Sequence, residues 1–82
     1  YNISIAKKSK VSIDTRINSN TIIKEGTIIE EGCVLNNCVI SEDCYLPKNC
    51  ILENVYLNKG IKLAQNSRVK NVLIVDKYKS FD

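Results

Sequence analysis

The sequence predicts an all-β fold in which the chain winds into a coil of short strands that stack in parallel, a parallel β-helix. Three observations predict it. An aliphatic residue recurs every five or six positions along nearly the whole chain. From Val11 onward a residue that is mostly small stands two positions before each of these, and Gly, Asn or Asp fills most of the turns between them. Residues two apart in a strand share a face, so the aliphatic residue and the small one before it point inward together while the residue between them points out.

The repeat is plainest in Ile23-Lys24-Glu25-Gly26-Thr27-Ile28 and Ile29-Glu30-Glu31-Gly32-Cys33-Val34, two copies of one hexad. Extended in both directions it gives Ile5, Val11 and Ile17 as the inward residues of a first coil. Ile23, Ile29 and Leu35 follow for a second, Ile40, Leu46 and Leu52 for a third, Leu57, Leu63 and Val69 for a fourth, and Ile74 opens a half-coil. The units beginning at Leu35, Leu52 and Val69 have five residues instead of six and recur every 17 residues. Self-similarity of this kind marks a solenoid. Three strands and three corners per 17–18 residues close a triangular prism of about four and a half coils, roughly 22 Å tall at the usual strand spacing. An α-helical reading fails because the apolar period is neither 3.5 nor 3.6.

The small inward position holds Ser9, Thr15, Thr21, Thr27, Cys33, Cys38, Cys44, Cys50, Val55, Ile61, Ser67 and Val72. The corners hold Asp14, Asn20, Gly26, Gly32, Asp43, Asn49, Gly60 and Asn66, with Asn37, Asn54 and Asn71 in the shorter units; Lys8 and Lys77 break the pattern. These residue types tolerate a positive φ, which is expected at Gly26, Gly32, Gly60, Asn20, Asn49 and Asn66. The Asn37, Asn54, Asn71 column reads better as an amide ladder along the axis than as a ligand strip.

Composition bounds the chemistry. The chain has 82 residues, enough for one small domain spanning 1–82, and its opening on Tyr1 is expected of the C-terminal part of a longer chain. Neither a signal peptide nor an apolar run of membrane-spanning length is visible. Twelve Lys and Arg against nine Asp and Glu leave +3, spread along the chain, which argues against nucleic acid as a partner. The absence of His removes the commonest general base and the commonest zinc ligand. No catalytic, cofactor-binding or metal-binding residue is assigned, and no cofactor is expected. The four cysteines are spaced by 5, 6 and 6 residues, not as C-x-x-C. Their neighbours in the stack are core residues, so each reads as a small packed hydrophobe with a free thiol, in keeping with a cytoplasmic location.

This pattern resembles the hexapeptide-repeat family of left-handed parallel β-helices, over Ile5 to about Tyr78. Left-handedness is what the resemblance implies, since the usual rule for parallel crossovers gives the opposite hand. The short units end in Asn37-Cys38-Val39-Ile40, Asn54-Val55-Tyr56-Leu57 and Asn71-Val72-Leu73-Ile74. These are similar to tails repeated in the C-terminal domains of sugar-1-phosphate nucleotidylyltransferases of the ADP-glucose pyrophosphorylase kind. The resemblance implies a non-catalytic domain for oligomerisation, packing on an N-terminal catalytic domain, and regulation. A scaffold or regulatory subunit, such as one of an exchange factor, is the alternative. A fragment of a hexapeptide acyltransferase, or a carbonic anhydrase, would need the His that is missing.

The outward residues speak about partners. Ile22, Val39, Tyr56 and Leu73 form an apolar stripe on one face. A second face carries Lys10, Ile28, Tyr45, Lys62 and Lys79, and a third carries Arg16, Val34, Ile51 and Arg68. The stripe is the expected interface, against a second copy of the domain or its own catalytic domain.

Overall fold

The computed structural model describes residues 2–74. The expectations that fall on Lys77, Tyr78 and Lys79 lie outside the described residues. Every strand is two or three residues long: β1 (Ile3–Ile5), β2 (Lys10–Val11), β3 (Arg16–Ile17), β4 (Thr21–Ile23), β5 (Ile28–Ile29), β6 (Val34–Asn36), β7 (Cys38–Ile40), β8 (Tyr45–Leu46), β9 (Ile51–Glu53), β10 (Tyr56–Leu57), β11 (Arg68–Lys70) and β12 (Leu73–Ile74). They fall into three sheets in the orders β1-β4-β7-β10-β12, β2-β5-β8 and β3-β6-β9-β11. A parallel bridge from Tyr45 to Lys62 carries the second sheet up one further coil. All pairings are parallel, and each strand visits the next sheet before the chain returns one coil higher. This is a parallel β-solenoid of about four turns.

Register follows the hexads. Ile5, Ile23, Ile40, Leu57 and Ile74 are aligned across the first sheet, Val11, Ile29 and Leu46 across the second, and Ile17, Leu35, Leu52 and Val69 across the third. A slip of one residue would turn every one of these side chains outward, which is why an aliphatic repeat on its own can pin the pairing. Ile40, Leu46 and Leu52, the inward triangle of the third coil, are each 0% exposed. The end of the stack behaves differently: Ile5 is aligned with the core column yet 46% exposed, and Val11 and Ile17 are only half-buried. An inward residue is covered by the coils above and below it, and among the described residues nothing lies beneath the first coil.

The small inward residues do more than fill space. The thiols of Cys33, Cys44 and Cys50 donate to the carbonyls of Pro47, Asn58 and Ala64, at 3.2, 3.2 and 3.4 Å, and the Thr27 hydroxyl donates to the Ser41 carbonyl at 2.6 Å. Each bond runs fourteen residues forward, to the first corner residue one coil up. The thiol of Cys38 reaches the Leu52 carbonyl over the same separation, at 3.5 Å. Thr27 Oγ1 also accepts the Cys44 N–H, so one hydroxyl satisfies a donor and an acceptor of the coil above. These bonds answer for backbone groups that the sharp corners leave out of the strand ladder.

The corners take the left-handed backbone where the sequence places Gly26, Gly32, Gly60, Asn49 and Asn66, with φ between 64° and 78°. Asp43, Asn37, Asn54 and Asn71 join them at 53–58°. Asn20 departs from expectation: neither it nor Asp14, at another corner of the first coil, has a positive φ. In the upper coils the corner N–H donates to a carbonyl one coil below, as from Asp43 to Glu25, Asn49 to Glu31 and Asn71 to Glu53. Beneath Asn20 the corresponding carbonyl, that of Asn2, takes the Thr21 N–H instead. The polar corner side chains of the first coil serve as acceptors, Asn20 Oδ1 taking the Asn2 N–H and Asp14 Oδ1 the Gly32 N–H.

Candidate interaction surface

Parallel pairing places Ser4, Ile22, Val39, Tyr56 and Leu73 in one row on the outer side of the first sheet. The stripe read from the sequence is therefore a physical column, one residue per coil, with Ser4 at its foot. Ile22 is 43% and Leu73 66% exposed, while Val39 and Tyr56 are half-buried between them. The Ser41 hydroxyl lies 3.4 Å from that of Tyr56, to which it donates, so the ring leans toward the neighbouring corner instead of standing clear of the sheet. No charged side chain interrupts the row.

The other two rows also assemble as the spacing requires. Lys10, Ile28, Tyr45 and Lys62 are aligned on the second sheet, and Arg16, Val34, Ile51 and Arg68 on the third. Both carry a cation at each end of the described stack. Tyr45 donates its hydroxyl to the Glu30 carboxylate, and that bond pushes the phenol above its usual range. The Tyr45–Glu30 pairing was not legible in the hexad pattern, because it joins an outward strand residue to a corner residue fifteen positions earlier.

Beside the apolar row runs the Asn corner column. Asn37 Nδ2 donates to Asn54 Oδ1 and Asn54 Nδ2 to Asn71 Oδ1, both at 2.8 Å. The amides thus form the expected ladder. A shallow groove of about 520 Å³ lies between ladder and row, lined by Asn37, Val39, Asn54, Tyr56, Asn71 and Leu73. Two exposed ion pairs, Lys48 with Glu31 and Lys70 with Glu53, also link successive coils; exposed pairs of this kind contribute little.

All four cysteines are buried free thiols. Burial pushes Cys38 and Cys44 above the ordinary thiol range. Cys33 and Cys50 occupy one stack, where the neighbouring thiol favours the charged form of Cys33 and disfavours that of Cys50, so Cys33 is held down and Cys50 up. A thiolate at Cys33 would have to form at 0% exposure, so neither sulfur is presented to an outside reactant. Among the described residues no group of three His, Cys, Asp or Glu is placed to hold a metal ion, and no helix is long and apolar enough to cross a membrane. Asp14 has its carboxylate held below the usual range by the Ser12 hydroxyl and then by the Gly32 N–H, which is a corner device.

Two buried residues escaped the hexad reading. Ser41 and Pro47 follow inward aliphatic residues directly, at corner positions where the second coil has Lys24 and Glu30, yet both are tucked in. The signal was their lack of charge at places where the neighbouring coil is charged. Compared with protein-family models, with curated proteins and with solved structures, the chain matches none.

Proposed function

We propose that this chain is a non-catalytic β-solenoid domain whose work is assembly, and that it makes its contact through the face carrying Ile22, Val39, Tyr56 and Leu73. The observation that supports this best is that this outer row is free of charge over five strands, while the other two faces end in Lys or Arg. A row of large apolar side chains in water is both an aggregation liability and an unused contribution of roughly 1.5–3 kcal/mol for each residue that a partner buries fully. Scattered exposed hydrophobes are ordinary; a registered column of them is what an interface requires.

The finer reading is that of the β-helical, left-handed C-terminal domain of a sugar-1-phosphate nucleotidylyltransferase, serving oligomerisation as well as packing on its catalytic domain. What favours it is the thrice-repeated Asn tail, whose side chains make the amide ladder. Reading the coding sequence upstream of Tyr1 tests it: a Gly-rich nucleotidyltransferase loop supports this assignment, and its absence leaves a scaffold subunit using the same face. The interface itself is tested by replacing Val39 and Tyr56 with Lys. The expected result is a folded coil, by circular dichroism, with assembly shifted to smaller species in sedimentation. Unchanged assembly would remove the face from the argument.

A further inference from the structure

Given that reading of the face as an interface, we infer that its occupant is a second copy of this chain, packed face to face with its coil axis antiparallel about a two-fold at Val39. The row has five members in register, with Val39 at its centre. It is uneven in bulk, with Ser4, its smallest member, at one end and its largest, Tyr56, beside Leu73 toward the other. An antiparallel two-fold sets Leu73, more exposed than Ile22, over Ser4, and Tyr56 over Ile22, with Val39 meeting itself. The row is then its own complement, as an isologous contact demands. A copy lying in the same sense would stack Tyr56 on Tyr56 and Leu73 on Leu73 and leave a gap between the two Ser4 residues.

Charge excludes the other faces from the same role. Turned antiparallel on itself, the second face brings Lys10 onto Lys62 and the third brings Arg16 onto Arg68. In the parallel sense each cation meets its own copy. On a chain of net +3 such contacts are repulsive, and only the first sheet can meet its like without them. Five strands at their usual spacing make a face only about 20 Å long, at the small end of specific interfaces, so the association is weak and depends on concentration.

The test uses single cysteines on the 82-residue chain and a short bismaleimide, the native thiols being buried. Ile22→Cys alone and Tyr56→Cys alone should give little covalent dimer, and their equimolar mixture should give it readily. Sedimentation of the unmodified chain should show a monomer–dimer equilibrium, weakened about tenfold or more by Val39→Lys, as for a central contact. Circular dichroism confirms that each variant is folded. Covalent dimer from Ile22→Cys alone, at the level of the mixture, overturns the antiparallel arrangement. So does a dimer that Val39→Lys abolishes but the mixture fails to trap, although the face would stand as an interface. A chain that stays monomeric at millimolar concentration overturns the second copy as occupant, whatever the Lys variants do to a larger assembly.

Discussion

Leu46→Ala in the third coil is the sharpest test of the register. Leu46 is 0% exposed, aligned with Ile29 below, and flanked by Ile40 and Leu52, which are equally enclosed. Truncation removes three carbons, about 0.8 kcal/mol each in transfer free energy. The strand ladders and the thiol-to-carbonyl bonds hold the surrounding coils apart, so the cavity cannot collapse, and the cost belongs in the upper half of the range of about 2–5 kcal/mol for buried Leu truncations. For a domain of this size a loss of about 4 kcal/mol lowers the melting temperature by roughly 15–30 °C. Urea titration followed by far-ultraviolet circular dichroism reads the free energy directly, with the slope expected to be unchanged. Ile5→Ala is the internal control. It occupies the same kind of hexad position but is 46% exposed, and its truncation should cost about 1 kcal/mol or less. Equal effects from the two substitutions, or a Leu46→Ala chain as stable as its parent, would show that inward packing is not what holds the coils together.

Two further predictions follow from the corners and the thiols. Gly32 and Gly60 share a φ near +77°, but a Cβ at Gly32 would come 2.2 Å from Asn49 Oδ1, whereas nothing lies within 4 Å at Gly60. Gly60→Ala should therefore cost only the left-handed backbone penalty of about 1–2 kcal/mol, and Gly32→Ala that penalty plus the cost of turning the Asn49 amide aside; equal midpoints in urea would show that the amide moves freely. Burial raises Cys38 and Cys44 above the ordinary thiol range in the folded chain. The unfolded chain releases those protons first, so stability is fully present below about pH 8 and declines as pH rises past 9, by at most about 1.4 kcal/mol per unit for each thiol. Replacing both residues with Ala should flatten that decline in pH-dependent melts, and an unchanged slope would assign it to other groups.

The hexad made most of the fold legible because it is both the local and the global signal. The aliphatic at each unit's start fixes which side chains face in, and the recurring run of two six-residue units and one of five fixes which strands pair. What it could not carry are effects of position within the stack. Ile5 and Ile23 are equivalent in sequence, but one is exposed and the other 1% exposed, because the second has a coil beneath it. Asn20 and Asn49 both hold the fourth position of a hexad, yet only Asn49 takes the left-handed turn and donates its N–H to a carbonyl one coil below, the Asn2 carbonyl beneath Asn20 being taken by Thr21. The interior hydrogen bonds of Cys33, Cys44 and Cys50 were hidden for another reason. Their partners are backbone carbonyls, which have no letter in the sequence.

The difference between the first coil and those above it has a bearing on how such a chain can vary. Thr21 pairs with Ile3 eighteen residues earlier and with Cys38 seventeen residues later, and the odd residue is absorbed wholly at the edge where Asn18 to Asn20 give way to Asn36 and Asn37. All three sheets remain in phase through the change. That edge acts as an expansion joint: length can be gained or lost there without rotating a single inward side chain, whereas a residue added within any strand would invert the facing of that strand against both its neighbours. Diversity in such a coil can therefore accumulate along one seam beside the apolar row, where it would reshape the rim of a contact and leave the packed interior as it was.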